Sequence, residues 1–429
     1  MKASGLARAS ATELARRMHA REIRAIDVVE DCLARIAERE PAIHAWAFLD
    51  PDRARGQAHV LDAGAIRGPL HGIPIGVKDL MDTADMPTAY GSPIYTWHRP
   101  AWDSACVAAA RTCGAVIVGK TVTTEFATFT PATTRNPRGY EYTPGGSSSG
   151  SAAAVADEMV PLGFGSQTVG SIVRPASFCG IVGYKPSFGT LSRAGVKLLA
   201  ESLDTMGVLA RTVEDAGLFV GALTGRDELV ALPGPVPKLR IGFCRTHDWN
   251  QARPEVGEAM DAAARQLSAA GAQVIQVELP QNFAGLGDAH GDILGYEIAR
   301  NLAHEYTVHG VRLSTRLREL LDASRQVSSE RYDRARLLAR ACRMGFSGAI
   351  DECHVVISPS ATGEAPEGLD STGNPVMNRV WTLLHVPCIN VPVARGPHGM
   401  PVGLQVIGRF ADDARTLAVA KWVHERMTG

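Results

Sequence analysis

Seven short runs rich in β-branched residues punctuate this chain, and they limit what it can fold into. They are IPIGV (73–77), AVIV (115–118), LRIGF (239–243), QVIQVEL (273–279), VVIS (355–358), INVPV (389–393) and VGLQVIG (402–408). Most are apolar nearly throughout, as strands covered on both faces tend to be. Helical patterns lie between them. Pro254–Ala270 reads as a helix, with Gly271 at the C-cap position before the next strand. Strands alternating with helices point to an α/β architecture around a mostly buried sheet.

The first part reads as helix. Ser10-Ala-Thr-Glu13 is a candidate capping box, and Val28, Val29, Cys32, Leu33 and Ile36 recur at the spacing of one buried helical face. Residues 281–350 read as mainly helical and polar. Val230–Lys238 (VALPGPVPK) is the best linker candidate, but strand-like runs flank it, so a surface connection within one domain is an equal reading. By length alone 429 residues would divide into about two or three domains, though large α/β folds exceed that rule. We expect one domain over residues 1–429: helices at about 10–60, a core at about 70–225 and a variable helical region at about 281–350.

Charge and cysteine usage set the expected surroundings. The net charge of −1 gives no sign of a polyanionic partner or a membrane surface. The N-terminus has no apolar signal-peptide core, and no apolar run reaches the length of a membrane span. Eight cysteines are scattered without a CxxC pair or His at metal-ligand spacing, as expected of reduced thiols in a cytoplasmic protein without a metal or other cofactor.

Two short motifs match and are rejected. Gly114-Ala-Val-Ile-Val-Gly-Lys-Thr121 fits the P-loop pattern. Its variable residues read as strand, whose N–H groups enter a ladder instead of facing phosphate. Lys120 is then expected at the surface or in a loop. Gly146-Ser-Ser-Ser-Gly150 fits the G-x-S-x-G nucleophile elbow, which requires a strand just before it. Glu141-Tyr-Thr-Pro-Gly145 is a poor strand because proline and glycine interrupt the ladder.

The same serines gain meaning from two other blocks. Gly72-IPIGVKDLMDT83 lies upstream, and Gly163-FGSQTVGSIVRPASFCGIVGYKPSFG189 lies downstream. Together with YTPGGSSSGSAAAVA (142–156), GAVIVGKTVTTEFA (114–127) and GMPVGLQVIGRFADDARTLAVA (399–420), they resemble the amidase signature family over nearly the whole chain. The resemblance implies a large, twisted mixed β-sheet sandwiched between α-helices. It also implies hydrolysis of amide C–N bonds by a Ser–cis-Ser–Lys triad. Carried over by motif, the lysine is Lys78, the bridging serine after a cis peptide is Ser147, and the nucleophile is Ser171. Backbone N–H groups of Thr168, Val169, Gly170 and Ser171 are the implied oxyanion hole.

Residue chemistry supports that assignment. A serine hydroxyl needs a base within roughly 2.6–3.2 Å, and none of the three blocks offers a suitable histidine. Lysine can serve only if neutral, so burial must lower its reference pKa of about 10.4. Ile73, Ile75 and Val77 suit such burial. A hydroxyl has one donor and two acceptor sites, so Ser147 can take a proton from Ser171 while passing its own to Lys78.

Around the nucleophile the chain reads Gln167-Thr-Val-Gly-Ser-Ile-Val-Arg174, where many family members carry Asp-Thr-Gly-Gly-Ser-Ile-Arg. This block, GSSSGSAAAV and STGNPVMNRVWTLL (371–384) look most like the malonamidase branch. There the arginine, here Arg174, helps hold a substrate carboxylate. A structural ion pair is the alternative. That branch's second acid-binding group, a glutamine, falls on Leu294 in HGDILGYE (290–297), so the hydrolytic chemistry carries over but malonamate as substrate does not. The implied partners are a small-molecule amide and a second copy of the chain, without nucleic acid or membrane. Two other functions compete: the glutaminase subunit of a tRNA-dependent amidotransferase, and a non-catalytic scaffold on the same fold. Gln167 and Val169 favour a free-standing hydrolase over the first. Intact Lys78, Ser147 and Ser171 argue against the second.

Overall fold

A computed structural model describes residues 5–234 and 236–428. Among the described residues eleven strands form one mixed sheet: β1 (Trp46–Leu49), β2 (Pro74–Lys78), β3 (Val116–Thr121), β4 (Leu162–Gln167), β5 (Val182–Lys185), β6 (Thr205–Ala210), β7 (Arg240–Cys244), β8 (Gln273–Val277), β9 (Val355–Pro359), β10 (Cys388–Arg395) and β11 (Pro401–Ile407). Their spatial order is β1-β3-β2-β4-β6-β5-β10-β11-β9-β7-β8. Parallel pairing joins β3, β2 and β4 near one end and β9, β7 and β8 at the other; antiparallel pairs connect the two groups.

All seven apolar runs form strands. Four further strands, β1, β4, β5 and β6, lie outside those runs. β1 and β5 have only four residues each, and β4, β5 and β6 contain glycine, a poor strand former. Glycine permits close packing here. A Cβ at Gly183 would lie 2.5 Å from Ala176 Cβ, and one at Gly207 would lie 2.3 Å from the Tyr184 carbonyl oxygen.

The expected helix is present as Pro254–Ala269, with Gly271 at φ +100° just beyond it. Ser10 caps the helix Ala11–His19 by accepting from Glu13 N at 3.1 Å, but the Glu13 carboxylate turns outward to Arg16, so the capping box is half made. Val28, Val29, Cys32, Leu33 and Ile36 are buried along the helix Ala25–Ile43. Helices Leu286–Asn301, Ala303–His309, Thr315–Ser324 and Ser329–Ala349 occupy the polar region. The eight cysteines carry no disulfide. Among the described residues no helix is long and apolar enough to cross a membrane.

Lys120 departs from its expected surface position. It lies on β3 with its side chain fully buried, 3.1 Å from an Asp79 oxygen, and it donates to Thr88 Oγ1 at 2.6 Å. Its strand runs through the interior, so the side chain must find a buried anion. Residues 116–119, central to the P-loop match, lie in the same strand, as the rejection of that motif anticipated.

Candidate active site

β2 and β4 run parallel as neighbours with Gly76 opposite Gly163, which brings Lys78 beside the C-terminal part of β4. β2 ends in Lys78. β4 ends in Ser166 and Gln167, whose side chains leave opposite faces because strand side chains alternate. Lys78 Nζ lies 2.7 Å from Ser147 Oγ, 2.9 Å from Ser166 Oγ and 3.0 Å from Ser148 Oγ. The Gly146–Ser147 peptide is cis. Lys78 is fully buried, and among the described residues no carboxylate lies within ion-pair distance. Burial pulls its pKa down to about 7 against a smaller upward pull from Asp204.

Ser171 follows β4 at the mouth of the helix Val173–Cys179 and is 8% exposed. It lines a narrow cavity of about 20 Å³ with Thr168, Val169, Arg174, Leu199, Leu294 and others. Gln167 fixes the loop below it: its Oε1 accepts from Ile172 N at 2.9 Å and Val173 N at 3.0 Å. Its amide donates to Thr382 Oγ1 at 3.0 Å, and Thr382 donates to the Val169 carbonyl at 2.7 Å. The neutral glutamine therefore accepts from two backbone N–H groups and also gives an N–H that a carboxylate lacks.

Other side chains secure the same loop. His290 Nε2 donates to the Thr168 carbonyl at 2.9 Å; burial holds this imidazole down at about 4, so it is neutral near pH 7. Asp204 accepts from Thr168 Oγ1 at 2.5 Å and from Leu199 N at 2.7 Å, and burial raises it to about 6. Asn378 packs on Gly170 so tightly that a Cβ there would lie 2.3 Å from Asn378 Oδ1. Ser166, Asp204, His290, Asn378 and Thr382 are invisible to motif reading. Only the segments holding some of them, SQT, HGDILGYE and STGNPVMNRVWTLL, carry a signal.

Arg174 joins the two serine segments. It donates through Nη2 to the Gly146 carbonyl at 2.7 Å and to Thr372 Oγ1 at 3.0 Å, and through Nη1 to the Gly373 carbonyl at 2.8 Å. Burial lowers its pKa to about 9. These partners are carbonyls and a hydroxyl, so the expected alternative of an ion pair is not what holds it. The serine segment needs glycine for the same contact: Gly145 has φ +80°, and a Cβ on it would lie 2.9 Å from Pro175 Cα.

The polar helical region supplies Leu294, Ile298 and Leu320 to the narrow cavity. A second cavity of about 450 Å³ shares Val169 and Leu294 with it. A larger depression, about 850 Å³, is lined by residues between Leu6 and Arg55 and contains none of these side chains.

A buried amine among hydroxyls at the end of a mixed α/β sheet is the setting of a hydrolase acting on amides. The chain belongs to the Amidase family, whose model matches residues 27–417. It is 32% identical to a glutamyl-tRNA(Gln) amidotransferase component from Thermosynechococcus vestitus, with 97% of each chain covered. A solved amidase structure superposes with a TM-score of 0.89 at 30% identity, covering 98% of this chain and 100% of that one. The peptide amidase from Stenotrophomonas maltophilia gives 0.83 at 30% identity, covering 97% and 96%. The chain is thus an enzyme of amide hydrolysis with the fold expected for it. The expected exclusion of nucleic acid gains no support, because a near-full-length relative is named for a tRNA-linked reaction.

Proposed function

We propose that this enzyme hydrolyses a small to medium amide, with or without a carboxylate, through an acyl-enzyme on Ser171. The observation that supports it most is the partner set of Lys78: three hydroxyls and, among the described residues, no anion paired with a buried Nζ. An ammonium would have to donate all three bonds. A neutral amine donates two, to Ser148 and Ser166, and accepts one from Ser147. That leaves the Ser147 oxygen free to accept a proton from Ser171.

The steps follow from this arrangement. Ser171 Oγ attacks the amide carbonyl while its proton passes to Ser147 and that of Ser147 passes to Lys78. Charge on the carbonyl oxygen is met by backbone N–H groups from Thr168, Val169, Gly170 and Ser171, held by Gln167, Thr382, Asn378 and His290. Lys78 returns the proton through Ser147 to the leaving nitrogen, which departs as ammonia or an amine. Water then enters, loses a proton along the same chain and releases the acid. We assign Arg174 to holding the Gly146 carbonyl, and hence the Ser147 segment, beside the nucleophile helix.

A fluorophosphonate probe should label the wild type and not Ser171→Ala, and the same substitution should abolish ammonia release from an amide panel. Wild-type turnover by Ser171→Ala would refute the assignment; absence of labelling in the wild type would favour the scaffold reading. One observation favours a second reading, the glutaminase component of an amidotransferase: the 32% identity to a protein of that complex over nearly all of both chains. A stable heteromeric complex recovered with the tagged chain, together with ammonia release confined to glutamine, would select it.

A further inference from the structure

Two arginines serve the walls around Ser171; among the described residues each leaves a buried Nε unpartnered, but Arg174 is buried with both Nη atoms engaged, whereas Arg379 is partly exposed with Nη1 unused. Arg174 uses Nη1 and Nη2 on Gly373, Gly146 and Thr372. Arg379 sits on the helix Val376–Leu383, between Asn378, which packs on Gly170, and Thr382, which holds Val169. Its side chain is 32% exposed. It forms an ion pair with Asp248, Nη2 donating to Oδ1 at 3.3 Å; among the described residues Nε is buried without a partner and Nη1 makes no hydrogen bond.

Arg379 lines the cavity of about 450 Å³ with Asp248, Gln251, His290 and Asn374. That chamber meets the narrow cavity of Ser171 along Phe129, Val169, Leu294 and Pro375. Apolar side chains line much of the narrow cavity, which has room for little more than the reacting carbonyl. The rest of a substrate must therefore extend into the larger chamber, where Arg379 presents an Nη1 that makes no hydrogen bond among the described residues. We propose that Arg379 binds the carboxylate of the substrate and so selects acidic amides over neutral ones of equal length. Asp248 takes one Nη2 hydrogen, which leaves Nη1 and the other Nη2 hydrogen as donors for a substrate carboxylate.

This proposal rests on the acyl-enzyme reading, and its test keeps the two apart. Rates would be measured on succinamate and glutaramate against butyramide and valeramide, for the full chain and for Arg379→Gln and Arg379→Lys. Fluorophosphonate labelling of Ser171 would be followed with and without succinate. The wild type should favour the acidic amides. Arg379→Gln should cut the acidic-to-neutral ratio of kcat/KM about 10- to 100-fold, the span of one charge-assisted bidentate contact, and should weaken protection by succinate similarly. Arg379→Lys should recover part of the ratio, since a point charge replaces the fork. An equal loss on both amide classes, or a wild type that prefers neutral amides while Ser171 still labels, would overturn the proposal and leave the amidase reading intact. A wild type that neither labels nor cleaves any amide would overturn both.

Discussion

The pH dependence of the reaction tests the site most directly, because it reads the charge on Lys78. The perturbation is pH alone, with an uncharged chromogenic anilide as substrate, so that kcat/KM reports groups of the free enzyme. An unperturbed lysine at 10.5 would be ~0.03% neutral at pH 7. With burial drawing Lys78 to about 7, the neutral fraction is ~9% at pH 6, ~50% at pH 7 and ~91% at pH 8. The rate should therefore rise toward tenfold per pH unit on the acid side and level off above about pH 8. Asp204 supplies a second arm. Its charge pulls the Lys78 pKa upward, so Asp204→Asn should move the rising limb to lower pH while keeping its shape. A profile flat from pH 6 to 10, or one still climbing at pH 10, would refute a buried neutral amine as the base. So would an Asp204→Asn limb displaced toward alkaline pH.

Arg174→Ala should leave the Gly146 and Gly373 carbonyls without their donor and lower kcat on acidic and neutral amides alike; selective loss on acidic amides would return Arg174 to substrate recognition. Lys120→Met should strand the buried Asp79 carboxylate and destabilise the fold by about 3–5 kcal/mol, measured by urea unfolding, whereas a loss under about 1 kcal/mol would show that the pair is dispensable.

The sequence is most legible where one residue type has one use. Apolar β-branched runs have few homes other than a buried sheet, and all seven are strands. Glycine has several uses, and β4, β5 and β6 escape notice because their glycines accommodate helix and strand neighbours rather than mark turns. The site shows the same division. Lys78, Ser147 and Ser171 sit in motifs, but the groups that hold them act through backbone atoms: Thr382 on the Val169 carbonyl, His290 on the Thr168 carbonyl, Gln167 on two amides. A backbone partner leaves no complementary residue type to find, and Thr382 is 213 residues from the atom it holds. Lys120 defies its sequence context because a lysine beside a strand is normally solvated; its Asp79 partner lies on the neighbouring chain segment, next to Lys78 itself.

That adjacency shows how two neighbouring interior strands treat their buried lysines differently. Lys78 and Lys120 lie one register step apart on β2 and β3, where Val77 pairs with Lys120 and Lys78 with Thr121. Both lose their hydration, which lowers both pKa values. Lys120 has Asp79 at 3.1 Å to favour its charged form; Lys78 has hydroxyls, which serve a neutral amine equally well. The cost falls on stability. Because the folded-state pKa of Lys78 is depressed, the unfolded chain binds that proton more tightly, and stability rises with pH between about 7 and 10.5. Below about pH 7 the full penalty stands, on the order of 5 kcal/mol. A carboxylate placed beside Lys78 would offset that penalty and, by keeping the amine charged, remove the proposed base as well.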